Sequence, residues 1–67
     1  MNAGKSLKIA LINRDRTQVW LAKELDVKHQ IVNRWCNSTS MRLTTLETVA
    51  KQLGYKASEF IALGEQG

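Results

Sequence analysis

Residues 17–37 read TQVWLAKELDVKHQIVNRWCN, and the recurrence of apolar positions in this stretch sets the architecture. Thr17 can cap a helix, because its hydroxyl accepts one of the backbone N–H groups left unpaired at a helix start. Behind it, Leu21, Ala22 and Leu25 form an inward stripe at helical spacing. In the second half, at about 100° per residue, Val32, Trp35 and Cys36 share one arc. Gln30, Asn33, Arg34 and Asn37 share another, of about 100°, centred opposite the first. No acid occurs between Asp26 and Glu47. The stretch therefore reads as two short helices, the second with an outer face made of amides and hydrogen-bond donors.

That outer face is unusual for a helix that merely meets water. Solvated helices mix Glu with Lys, which are good helix formers and pair across one turn. Arg can pair with the two acceptors of guanine, and Asn or Gln with the donor and acceptor of adenine, all in the major groove. A face without carboxylates also suits a surface that meets phosphates. The composition favours a nucleic-acid partner.

Outward from this stretch the chain continues as helices. Residues 5–14, KSLKIALINR, place Leu7, Ala10 and Leu11 on one face. Ile9 and Ile12 fall on the other, which suggests a helix covered on two sides. TTLE at residues 44–47 has the form of a capping box in which Glu47 reaches back to the Thr44 N–H. Leu46, Val49, Ala50 and Leu53 then share a face, and Gly54 supplies a left-handed stop. A last helix from about Ala57 to Leu63 offers Phe60 and Leu63. No period-two alternation, internal repeat or low-complexity run appears. The expectation is an all-α, compact bundle of four to five short helices.

At 67 residues the chain reads as one domain, 1–67, which buries roughly 60% of its unfolded surface. It has no proline and is 43% hydrophobic, a balance that suits a folded domain. The net charge is +4, concentrated in two places. Lys5, Lys8, Arg14 and Arg16 contribute a general positive field near the start, and Lys28, Arg34 and Arg42 stand in the middle without an acid. The single cysteine, Cys36, excludes an internal disulfide and a multi-cysteine zinc site, and reads as a small buried hydrophobe. One histidine, with none of the usual metal, nucleotide or nucleophile motifs, argues against catalysis. No cofactor and no metal are expected. No apolar run approaches the roughly 18–20 residues of a membrane span. The expected setting is the cytoplasm, in association with the nucleoid.

The segment TQVWLAKELDVKHQIVNRWCN resembles the helix-turn-helix of the Cro/phage-repressor class, or XRE family. Leu21, Ala22, Leu25, Val27, Val32 and Trp35 stand where that motif places its core, and Gln18 matches its opening glutamine. The likeness runs from about Leu7 to Phe60, through TTLETVAKQLG and the closing YKASEF. It implies a lambda-repressor-like DNA-binding fold with the helix-turn-helix at about 17–37. It implies, too, a recognition helix from about Lys28 to Cys36 that enters the major groove. His29, Gln30, Asn33 and Arg34 then face base edges, and Ile31 a thymine methyl. Gln18, Lys28, Asn37, Ser38 and Arg42 are candidates for phosphates, with Thr17 and Ser40 beside them.

Three positions depart from the family pattern. Asp26 stands where a glycine usually allows a positive φ, at a cost of roughly 1 kcal/mol. Leu11 and Cys36 stand where many members place a charged pair, so that contact is expected to be apolar. Ser38 replaces a helix-ending glycine, which suggests that Asn37 adopts the left-handed cap.

The resemblance implies a small phage- or prophage-type repressor acting on a palindromic or pseudo-palindromic operator in double-stranded DNA. A homodimer, weak off DNA, would read two half-sites about 34 Å apart. Leu43, Phe60, Ile61 and Leu63 are the candidate self-contact residues, and residues 64–67 are expected to fray. Val19 and Trp20 project away from the Leu21/Leu25 stripe. Trp20 could pack over Ile9 or Ile12, or the pair could meet a regulatory protein partner. The second possibility supports an alternative function, an antitoxin- or antirepressor-type interaction module on the same scaffold. RNA binding lacks its aromatic platform or GXXG loop.

Overall fold

Among the described residues, three of the five helices end in the same way. A residue with positive φ follows the helix, and the next two N–H groups fold back onto its last carbonyls. The helices, described by a computed structural model over residues 2–65, are α1 (Ala3–Asn13), α2 (Gln18–Glu24), α3 (His29–Cys36), α4 (Leu43–Gln52) and α5 (Ala57–Glu65). After α1, Asp15 takes φ 55, and the Asp15 and Arg16 N–H groups donate to Ile12 and Leu11. After α2, Asp26 takes φ 55, and its N–H and that of Val27 donate to Lys23 and Ala22. After α4, Gly54 takes φ 79, with Gly54 and Tyr55 donating to Lys51 and Ala50. This double bond satisfies carbonyls that would otherwise lack partners at a helix end. The stops at Asp26 and Gly54 are those expected; the one at Asp15 is additional.

The core matches the sequence pattern. Leu7, Ala10 and Leu11 of α1, Leu21 and Ala22 of α2, Val32 and Cys36 of α3, and Leu46, Val49, Ala50 and Leu53 around α4 form one buried cluster. Phe60 of α5 is fully enclosed in it, and Leu25, Val27, Trp35, Ile61 and Leu63 pack against it partly buried. The small residues of α1 bring α5 close. A Cβ on Gly64 would fall against Ser6 Oγ and the Asn2 carbonyl, and Ser6 Oγ donates to the Ile61 carbonyl at 3.4 Å. Arg14 ties the C-terminal end of α1 to that of α4. Its Nε donates to the Leu53 carbonyl at 2.9 Å, and its guanidinium lies 4.4 Å from the Tyr55 ring centroid.

Several local expectations are corrected. The capping box at Thr44 does not form, because α4 begins earlier. Arg42 is the extended residue before the helix and has no side-chain cap, and its carbonyl already accepts from Leu46 N–H at 2.8 Å. Thr44 thus lies within the first turn, where its backbone is helical and cannot take the cap conformation. Asn37 is not left-handed; it has φ −99, and its side chain turns back to the Asn33 carbonyl. Ile12 is 76% exposed, so α1 is not covered on two sides. Trp20 packs within the domain, partly buried against the core cluster, but not over Ile12. Instead it lies under Arg16, whose guanidinium is 4.8 Å from its ring centroid, in a groove with Arg14, Leu53 and Gly54. Of the stretch expected to fray, Gly64 is buried and helical, whereas residues 66 and 67 lie outside the described residues.

The junction that orients α3 is made by backbone. The Ala3 N–H donates to the Thr39 carbonyl at 3.1 Å and the Gly4 N–H to the Ser38 carbonyl at 2.9 Å. A Cβ on Gly4 would fall against the carbonyl oxygens of Ser38 and Cys36. Those are backbone atoms, so relief requires the two helices to separate. Gly4→Ala should therefore destabilise the fold by about 2 kcal/mol, lowering the thermal midpoint by roughly 10 °C for a domain of this size. Lys5→Ala next to it should stay within about 0.5 kcal/mol. Equal melts for the two variants would show that the junction relaxes without loss.

Candidate nucleic-acid interface

The surface around α3 follows from how its apolar arc is held. Val32 is fully buried and Cys36 nearly so, with Trp35 half-buried beside them. Fixing that arc inward leaves Gln30, Asn33 and Arg34 exposed on the opposite side, with Ile31 at its border, 36% exposed, and with His29 exposed at the start of the helix, nearer the apolar arc. The five residues expected to face bases therefore lie together on the outer surface of one helix. Asn33 is further constrained: Asn37 Nδ2 donates to its side-chain oxygen and, at 3.0 Å, to its backbone carbonyl. That oxygen keeps a second lone pair and the Asn33 amide nitrogen keeps its donors, so the pairing orients the side chain without exhausting it.

The residues expected to meet phosphates surround this face. Lys28 is the exposed residue before α3. Thr17 accepts from Trp20 N–H at 3.1 Å through its hydroxyl oxygen, which confirms it as the α2 cap and leaves its O–H free to donate. Gln18 opens α2, half-buried, in a trough with Lys8, Leu11, Ile12 and Arg16. Ser38 donates its hydroxyl to the Ser40 carbonyl at 2.8 Å, which shapes the turn after α3. Arg34, Ser38, Ser40 and Arg42 line one trough between α3 and α4. Met41 and Thr45 line it as well, and sequence reading missed both. The early start of α4 moves Thr45 to the rim, and nothing in the sequence separates that start from the capping box.

The remaining candidates divide. Leu43 is 65% exposed, and Ile61 and Leu63 are half-buried. Phe60 is withdrawn from the self-contact set, because it is wholly enclosed in the core and presents nothing to a partner. Val19 is 60% exposed, whereas Trp20 is half-buried. Arg14, assigned only to a general field, acts as the structural tie described above. Its role has no linear signal, since its partners lie about forty residues away in the chain.

Leu11 and Cys36 belong to the same buried cluster, so the contact between α1 and the end of α3 is apolar as expected. Burial pushes the Cys36 thiol above its ordinary pKa, and the charge of Lys8 opposes this more weakly.

A family model described as helix-turn-helix matches residues 7–60. No curated protein and no solved structure matches the chain.

The thiol shift has a stability consequence. The neutral thiol is favoured in the folded state, so its contribution is complete below the unfolded thiol pKa, about 8.5. Above that pH the unfolded chain releases its proton first, and stability falls as pH rises towards the folded value. Melts between pH 7 and pH 10 should show a decline that Cys36→Ala reduces. A thiol reagent at pH 8 should react more slowly with folded than with denatured protein. Equal rates would place the thiol in contact with solvent.

Proposed function

The chain belongs to the Cro/XRE-type helix-turn-helix family of DNA-binding transcriptional regulators, and on that premise we propose a sequence-specific repressor of phage or prophage type. It occupies an operator with α3 in the major groove and so blocks polymerase. Positive charge draws the protein to the duplex by releasing counterions, and Gln30, Asn33 and Arg34 then discriminate bases. His29 and Ile31 extend that contact at the start of the helix. Thr17, Gln18, Lys28, Asn37, Ser38, Ser40 and Arg42 hold the backbone and set the register.

One observation carries this reading. The exposed face of α3 holds donors and amides with no carboxylate, while Val32 and Cys36 on the opposite face are locked in the core. A helix kept only for packing has no need of that outer composition. The family is a DNA-binding regulator fold and not typically an enzymatic one. A homodimer on two half-sites fits the small reading surface of one domain, with Leu43, Ile61 and Leu63 as its available apolar material. The alternative, an antitoxin- or antirepressor-type module, draws support from exposed Val19 alone, since Trp20 is covered by Arg16.

Selection of bound sites from random duplex DNA tests the proposal. A defined motif with two-fold symmetry is expected; recovery of unenriched sequence would overturn specific reading. Arg34→Ala or Asn33→Ala should relax preference at one or two base pairs, by roughly 1–3 kcal/mol each. Lys28→Ala should instead weaken binding to every sequence and reduce its salt dependence. Uniform loss from Arg34→Ala would reassign that residue to the backbone.

A further inference from the structure

The flanks of α3 carry an assignment of their own. A major groove is about 12 Å wide, and a helix with its side chains is about 10–12 Å across. The domain measures 28 × 20 × 20 Å. Once α3 enters the groove, the body of the domain overhangs it, and the surfaces that border α3 come to rest on phosphate backbones.

Two troughs border the C-terminal end of α3 and share Ser38. The one towards α4, of about 370 Å³, holds Arg34, Ser40, Arg42 and Thr45. The one towards α1, of about 310 Å³, is lined by Asn2, Lys5, Lys8, Asn37 and Thr39. Lys8 also borders the adjoining trough that contains Arg16 and Gln18, so the α1 side forms one track from Lys5 to the start of α2. Among the described residues, no Asp or Glu lines any of the three. Lys5 and Lys8 are exposed, lie on one face of α1 at three-residue spacing, and are separated by about 4.5 Å of helix rise. Lys8 lines the same trough as Cys36 and Asn37 at the end of α3.

We infer that Lys5 and Lys8 form a phosphate seat for one DNA strand, opposite a second seat at Ser40 and Arg42 for the other strand. The duplex is thereby gripped on both sides of the recognition helix. This rests on the DNA-binding reading above and assigns residues which that reading leaves unassigned. A helix gripped from one side can roll about its own axis and lift Asn33 and Arg34 off the base edges. Two seats on opposite sides of Ser38 oppose that roll.

Titration with a short mixed-sequence duplex over a range of salt concentrations tests the first seat. Lys5→Gln with Lys8→Gln should reduce the slope of log affinity against log salt by about 1.8 per bound protomer, at about 0.9 per lost phosphate contact. Lys5→Arg with Lys8→Arg should retain the slope, which a loss of fold would not allow. Lys51→Gln, at the opposite end of α4 from Arg42, should leave it unchanged. Neutralising single phosphates as methylphosphonates in a duplex carrying the selected site tests the opposition of the seats. Within each half-site, phosphates to which Lys8→Gln becomes indifferent should lie on one strand, and those for Arg42→Gln on the other. An unchanged slope, or both sets on the same strand of a half-site, overturns the two-sided grip while wild-type binding preserves the DNA reading. Absence of wild-type binding at low salt overturns both.

Discussion

The placement of the reading surface depends on a backbone exchange between two helix ends. The first N–H groups of a helix and the last carbonyls of another are both unpaired by construction. Here the Ala3 and Gly4 N–H groups of α1 take the Ser38 and Thr39 carbonyls that follow α3, while Asn2 caps Lys5 N–H at 2.9 Å. Because α3 ends without the positive-φ stop that closes α1, α2 and α4, the carbonyls beyond it point away from their own helix. The absence of a side chain at Gly4 is what lets the two backbones meet. At its other end α3 is set by the tight turn at Asp26, where Val27 is pulled back onto Ala22. A helix fixed at both ends, with Val32 buried between them, presents a defined face.

That arrangement accounts for what could be read in the linear chain and what could not. The helix-turn-helix was legible because its signals are periodic: Leu21, Ala22, Val32 and Cys36 repeat at helical spacing and all prove buried. Gly54 was legible because glycine tolerates positive φ, and Asp26 because it stands at the glycine position of the pattern that the chain resembles; Asp15, with no such pattern behind it, was not. The Gly4 junction was not, because a glycine in a first turn looks like a weak helix former until its neighbours in space are known. Thr44 misled for a related reason. TTLE satisfies the local pattern of a capping box, but tertiary packing starts α4 at Leu43 and leaves the pattern unused. Phe60 carries no mark that separates an enclosed aromatic from an interfacial one, and only the docking of α5 on α1 decides between them. The candidate site was legible by type, as amides and cations on one arc; its flanking troughs required the fold.

The use of Asp rather than Gly at two of the three stops bears on rigidity. A left-handed Asp costs roughly 1 kcal/mol more than a right-handed one, yet it restricts the unfolded chain more than glycine does. The two effects oppose each other, so the turn before α3 gains definition without a large net change in stability.

The burial of Leu11 and Cys36 in one apolar cluster separates two dependences that other arrangements would mix. An ion pair at that position would weaken as salt screens it, so the docking of α3 and the grip on DNA would soften together. Here α3 is held by buried side chains and backbone hydrogen bonds, for which salt screening is minor. Cations that border its troughs are therefore free to answer to phosphate alone. The salt dependence of binding then counts phosphate contacts directly, and the thermal stability of the free protein should vary little over the same range. Fold and function respond to different variables because the chain spends its apolar residues on the first and its exposed cations on the second.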